Sequence, residues 1–450
     1  MMVNKKTLLL SLMLLAGAAL HAQAPKHISL SEAVDLSLNA SKQLRVSDAR
    51  MQQANASYRE AKDRRLPDVN VTASYLRLAP PDLELKLKSG STTPPGETQT
   101  SSTPSVTQMA YAIANVSVPL FTGFKIKNGI ESAKYLAEAS KLDAGRDRDD
   151  VIQNTIAAYS NLYKASEAVK LVQEDLHQSQ ERVKELDNLE KNNLLARNDL
   201  LKAQLQESNI ELALLDAKAN LHVTNENMSL MLGLPAETII ETDTTFTMDA
   251  TERILSDWQL LALQNRKDAA SLGYRAKAAE SGIRVAKGDY YPSLALTGGY
   301  IGAHVENILS LRVAVNGGVG LNYSPSSLWK AGTKVTEAKA RLAEVQASQG
   351  MLEDAIRLQT AQAYEQYLLS KKKIDVYELA VEQSRENYRI VNNKFKNSLA
   401  TTTDLLDAVV PQLQARLNLA FAKADAAVNY KKLLQTVGLL SAEGTPGLQH

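Results

Sequence analysis

The sequence predicts a mainly α protein with a small β part and a twofold internal repeat. Three observations carry that prediction. First, KNSLATTTDLLDA at residues 396–408 has a near copy, KNNLLARNDLLKA, at residues 191–203. Asp199 lies 205 residues before Asp404, and the same offset carries Gly233 onto Gly438 and Lys134 onto Lys339. One offset kept over that span means that the helical part was built twice. Second, long stretches without Pro carry apolar residues at threes and fours, the spacing of one helix face. Third, four segments of roughly ten residues alternate apolar and polar, the period of a strand.

Taken in order, the chain opens with Lys5 and Lys6, an apolar run at 8–20 and Ala22-Gln23-Ala24. Charge, short apolar core and small-x-small site together predict a secretory signal over residues 1–24. The first repeat is expected at 25–232. Ser31 reads as the N-cap of a helix running to about Arg65, and Pro67 ends it. Residues 68–78 then switch to period two, with Val69, Val71, Ala73 and Tyr75 on one face and Asn70, Thr72 and Ser74 on the other. Residues 80–108 are rich in Pro, Ser, Thr and Gly and predict a long loop. The chain returns as a strand over 110–120, with Ala112, Ala114, Val116 and Val118 opposed to Asn115 and Ser117. From Ile130 a helix is expected to about Leu189, interrupted in composition only by Gly145. Residues 191–203 then form the tip of a hairpin, and 199–231 run back to the stop signals Gly233 and Pro235.

Residues 233–253 form the expected connector, and the second repeat occupies 254–440, with a short tail at 441–450. LSDWQLLAL from Leu255 matches LSEAVDLSL from Leu30 at an offset of 225, as does AKGDYYPSLALTGGY from Ala286 with AKDRRLPDVNVTASY from Ala61. The offset falls to 205 only after the first strand. The difference therefore lies between the two strands of the first half, where the Pro/Ser/Thr loop is. Strands are expected at 293–301 and 312–323, then a helix from about Thr333 to Phe395, the second tip, and a helix over 403–437.

Composition excludes several functions. A net charge of +1 over 450 residues, with no basic run interleaved with aromatics, argues against nucleic acid. No glycine-rich phosphate loop and no nucleophile elbow is present. The six histidines show no ligand spacing, and Cys is absent altogether, so neither an enzyme site, nor a metal, nor a cofactor is implied. After the signal no window is long and apolar enough for a transmembrane helix. Exported strands of membrane length then suggest part of a transmembrane barrel. Four strands enclose no open lumen and leave bare edges in lipid, so several copies must complete the sheet. Phe121, Phe124, Tyr290, Tyr291 and Trp329 gather at the strand–helix junctions of both repeats, where a membrane–water interface would place them.

The layout of helix, two strands and long hairpin, made twice, resembles the TolC-like outer-membrane efflux protein family over essentially the whole mature chain. The motifs that carry the resemblance are VPLFTGF at 118–124, DLLDA at 404–408, its partner DLLKA at 199–203, and the closing LGL and VGL. The resemblance implies a homotrimer in which each chain adds four strands to a twelve-stranded barrel in the lipid of the outer membrane. Its antiparallel helical hairpins would join a periplasmic α-barrel. It implies a periplasmic adaptor and an inner-membrane pump, of the RND or ABC type, as partners, and a passive exit duct without enzymatic activity. A periplasmic coiled-coil adaptor or a structural scaffold is the alternative, but a scaffold does not account for four membrane-length strands, and an adaptor usually has one hairpin and a lipoyl-like domain instead of a twofold repeat.

By the same resemblance, the hairpin tips around Asn192, Asp199, Asn397 and Phe395 taper to a periplasmic gate ringed by Asp404 and Asp407. Their spacing puts these two carboxylates one turn apart on one helix face. Three copies of each would favour cations, and crowding would raise their pKa values. Asp404 also stands where a helix cap belongs, so capping and gating are both open for it; Asp407 reads as gating. Asp199 reads as a cap, because Lys202 occupies the place of a second carboxylate. Some relatives carry a Tyr and an Arg before this tip; Phe395 and Ala400 stand here instead, so closure is expected to rest on packing.

Overall fold

The structure, a computed structural model, describes residues 26–79, 106–243, 253–306 and 309–440. The expected signal, most of the loop at 80–108, the centre of the connector and the tail lie outside the described residues. The chain is mostly helical with a small β part, and it divides into two units. One comprises residues 1–50, 141–271 and 349–450; the other comprises residues 51–140 and 272–348.

The first unit holds most of each hairpin, and the second holds the remaining helical segments together with the sheet. Strand β1 (Lys26–Ile28) leads into helix α1 (Leu30–Ala40), followed after one residue by α2 (Lys42–Asp63). Helices α3 (Lys125–Lys191) and α4 (Arg197–Leu232) make the first hairpin, and strand β4 (Ile240–Thr242) pairs in parallel with β1. Helices α5 (Leu255–Asn265) and α6 (Lys267–Lys287) repeat α1 and α2, and α7 (Ser327–Lys396) with α8 (Thr402–Thr436) make the second hairpin. The α1 cap is Ser29, whose hydroxyl accepts from the Glu32 amide at 3.2 Å, and not Ser31 as the sequence suggested. The long first helix is also broken, at Ser41 in one repeat and at the equivalent Arg266 in the other. Both residues are extended, with ψ of 117° and 122°.

The closing glycines sit against the breaks. Gly233 and Gly438 sit at φ of +70° and +76°, where a side chain is strained. A Cβ on Gly233 would lie 2.8 Å from the Cβ of Ala40, and one on Gly438 would lie 2.6 Å from the carbonyl of Asn265. Each hairpin thus ends against the last residue of its own repeat's first helix, and that helix ends where the glycine presses. The core is likewise made twice. Ala33, Met228 and Leu232 pack in one cluster, and their counterparts Trp258, Leu433 and Val437 pack in another. Tyr159 ties the first cluster to the small sheet: its hydroxyl donates to the Ile28 carbonyl at 2.8 Å and accepts from the Asp243 amide at 2.7 Å. Gly145 lies within α3, where the Lys267 side chain packs against it and its Nζ donates to the Gly145 carbonyl.

The second unit holds an antiparallel sheet in the order β2-β3-β5-β6, with β2 (Asp68–Arg77), β3 (Gln108–Phe121), β5 (Ser293–Val305) and β6 (Leu309–Asn322). All but the first of these strands run further than alternation alone indicated. Register carries the apolar sets onto one face: Val71 pairs with Ala114, Ala114 with Tyr300, and Tyr300 with Val315. That face is exposed, Val71 to 74% and Val315 to 79%. The other face carries a polar row, Asn70, Asn115, Gly299 and Asn316. Glycine is required in that row, since a Cβ at 299 would meet the Asn316 and Asn115 side-chain oxygens at 2.7 and 2.8 Å.

Candidate functional site

Both hairpins reverse through the same backbone device. At the first tip the Asn193 amide donates to the Glu190 carbonyl (2.8 Å) and the Leu194 amide to Leu189 (2.9 Å). At the second, Ser398 donates to Phe395 (2.9 Å) and Leu399 to Lys394 (2.8 Å). This is the Schellman pattern, which needs a left-handed residue at the helix end. Asn193 and Ser398 supply it at φ of +58° and +60° without being glycine. Asn192 and Asn397 brace the same turns, each amide donating one turn back, to the carbonyls of Asn188 (2.6 Å) and Asn393 (2.7 Å). Leu194 and Leu399 stand out at the two tips, 73% and 77% exposed.

The returning helices begin differently. Helix α8 opens on a capping box: the Thr401 hydroxyl accepts from the Asp404 amide (3.1 Å), and the Asp404 carboxylate accepts from the Thr401 amide (2.8 Å). The Thr401 hydroxyl also donates to that carboxylate (2.7 Å), and the bonds that the Thr401 amide and hydroxyl donate hold the Asp404 pKa below its ordinary value within the chain. Asp404 is therefore a cap within the chain, and the T-x-x-D spacing from Thr401 is the signal that marks it. Helix α4 has Ala196 in the Thr401 position and no side-chain cap. Asp199, read from sequence as a cap, makes none; it pairs with Lys202 at 3.3 Å in the first turn, where the helix dipole favours a carboxylate. Asp407 is exposed beside Asp404, on the opposite side from the buried Leu405, Ala408 and Val409.

Two contacts join the tips. Phe395 packs on a cluster of Leu186, Leu200 and Ala203 from the first hairpin, together with Leu406. Lys202 donates to the Thr403 hydroxyl at 3.1 Å. Sequence reasoning placed Phe395 in packing but missed the Lys202–Thr403 bond, which depends on how the hairpins meet and leaves no local signature. Deeper in the same hairpins, Val172 packs with Ile210 and Leu214 from α4 and with Leu413 from α8.

In the sheet-bearing unit, Gly123 and Phe124 both take positive φ, +62° and +63°, and turn the chain from β3 straight into α3. The helix therefore starts at Lys125, earlier than composition indicated. The turn brings Phe121, Phe124 and Tyr291 together, with ring centres 5.3 and 6.1 Å apart and both pairs edge to face. Trp329 is 69% exposed, and Tyr290 is partly buried near Gly332. Among the described residues no group of His, Cys, Asp and Glu is arranged to hold a metal, and no helix is long and apolar enough to cross a membrane.

Comparison with known proteins matches this layout. The family described as outer membrane efflux protein matches residues 33–234 and 259–439. The chain is 19% identical over 332 residues to the outer membrane efflux protein BepC of Brucella suis biovar 1 (strain 1330), covering 72% of this chain and 71% of that one. Its fold is similar to the outer membrane protein VceC of Vibrio cholerae, with a TM-score of 0.74, 19% identity, and coverage of 91% of this chain and 96% of that one. It is also similar to the CmeC outer membrane channel of Campylobacter jejuni, with a TM-score of 0.78, 18% identity, and coverage of 91% and 86%.

Proposed function

From the premise that the chain belongs to the outer membrane efflux protein family, we propose that three copies form a passive exit duct whose helical tips open when a periplasmic adaptor and an inner-membrane pump dock. Membership places the protein in the outer membrane and makes it a transport protein, not an enzyme. The observation that carries the finer reading is the sheet. Among the described residues, strands β2 and β6 leave both its edges unpaired, and each of its four strands carries exposed residues on the apolar face. Unpaired backbone is not tolerated in hydrocarbon, so closure is the physical solution. Three such sheets give twelve strands, with the apolar face to lipid and the asparagine row to the lumen. The repeats at 25–232 and 254–440 then each contribute one strand pair and one hairpin per chain.

The tips support a gate. Asp407 and the capped Asp404 form an exposed acidic face on α8, while Phe395 packing and the Lys202–Thr403 bond hold the second hairpin to the first. A coiled-coil adaptor or scaffold would not need the sheet. Light scattering of the detergent-solubilised protein should give a trimer, and its insertion into planar bilayers should give low resting conductance. A monomer that stays soluble without detergent would overturn the proposal.

A further inference from the structure

A cavity of about 640 Å³ opens in the sheet-bearing unit, between the start of α3, the middle of α6 and the start of α7. Its wall is apolar at Leu136, Val285 and Val345, and its described lining carries Lys125, Lys334 and Arg341 beside the carboxylates of Asp289 and Glu337. Asp289 takes one lysine on each oxygen, Lys125 at 2.9 Å and Lys334 at 2.7 Å. An ammonium group has three donors, so both lysines keep donors for another acceptor, and one carboxylate does not neutralise two ammonium groups. Arg341 binds Glu337 through one nitrogen and is 72% exposed. The site adjoins the aromatic junction: Lys125 follows Phe124, Asp289 precedes Tyr290 and Tyr291, and Lys334 lies one helical turn and a half beyond Trp329.

We propose that this cavity binds an anionic phospholipid of the adjoining leaflet, with its phosphodiester between Lys125 and Lys334 and an acyl chain along Leu136, Val285 and Val345. The proposal rests on the outer-membrane reading above. Lysines bind phosphate as point charges, and the apolar wall distinguishes a lipid from free phosphate. Asp289, held below its ordinary pKa first by Lys334 and then by Lys125, stays ionised and holds both ammonium groups beside it.

The test is native mass spectrometry of the detergent-solubilised full chain, titrated with phosphatidylglycerol, phosphatidylcholine or inorganic phosphate. Phosphatidylglycerol should bind saturably and in preference to phosphatidylcholine. Lys334→Gln should weaken it about fivefold, and Lys125→Gln with Lys334→Gln about 25-fold, the scale of one surface lysine each against an anionic lipid. Lys334→Arg should retain binding, and Lys330→Gln, outside the cavity, should change nothing. Equal binding of the two lipids, an equal loss in Lys330→Gln, or displacement by inorganic phosphate at matched concentration would overturn the proposal. Bilayer conductance of the same samples separates the two readings: a wild type that binds lipid but never conducts refutes the duct and leaves the lipid site standing.

Discussion

The two carboxylates of the second tip do different work. Asp404 is engaged in the capping box and Asp407 is exposed beside it, so in the proposed gate the charge would fall first to Asp407. Asp404→Asn with Asp407→Asn should reduce cation selectivity, read as a reversal potential moving toward zero in a salt gradient, and Asp407→Asn alone should give most of that change. Unchanged potentials would remove both residues from the conduction path. The cap makes a separate prediction. Because hydrogen bonds from Thr401 lower the folded pKa of Asp404, its stabilisation is present above the unfolded value of about 3.9 and is lost as pH falls through the lowered one. Amide protection in the first turn of α8 should therefore fall with acid in the wild type and be flat in Asp404→Asn. The first turn of α4, capped by no side chain, should exchange faster at neutral pH.

Helices and turns were the most legible level. The duplicated tip motif located both hairpins, and the closing LGL and VGL located both helix ends, because left-handed turns select few residues. Gly438→Ala should destabilise the protein by about 2 kcal/mol or more, through strain at positive φ and the clash with Asn265, and Gly233→Ala should do the same against Ala40. Thermal unfolding of the two variants checks this; values near zero would mean that neither position requires glycine. What stayed hidden has a common reason. The breaks at Ser41 and Arg266 carry no Pro or Gly, and the glycines packed beside them lie some 170 to 190 residues away in sequence. The β1–β4 pair is three residues long and too short to show a period. Pro411 lies inside α8, and its missing N–H leaves the Asp407 carbonyl without its helical donor.

For the whole molecule, the proposed assembly rests on the sheet. Its apolar face was readable as alternation, but the register that aligns Val71, Ala114, Tyr300 and Val315 across four strands was not, since each strand alone fits several pairings. Val315→Lys, on the bare face and far from any core, should cost about 2–4 kcal/mol of membrane stability if it lies near the bilayer midplane, measured by denaturant titration in liposomes. No effect would turn that face away from lipid. Duplication also has an electrical outcome at the tips. Lys202 and Asp407 occupy equivalent places, 205 residues apart, so two hairpins that share one backbone carry opposite signs at one level. In the proposed trimer, three chains would make a pseudo-sixfold wheel whose spokes alternate cation and anion. Such a wheel can lock neighbour to neighbour by attraction, which six identical spokes could not do.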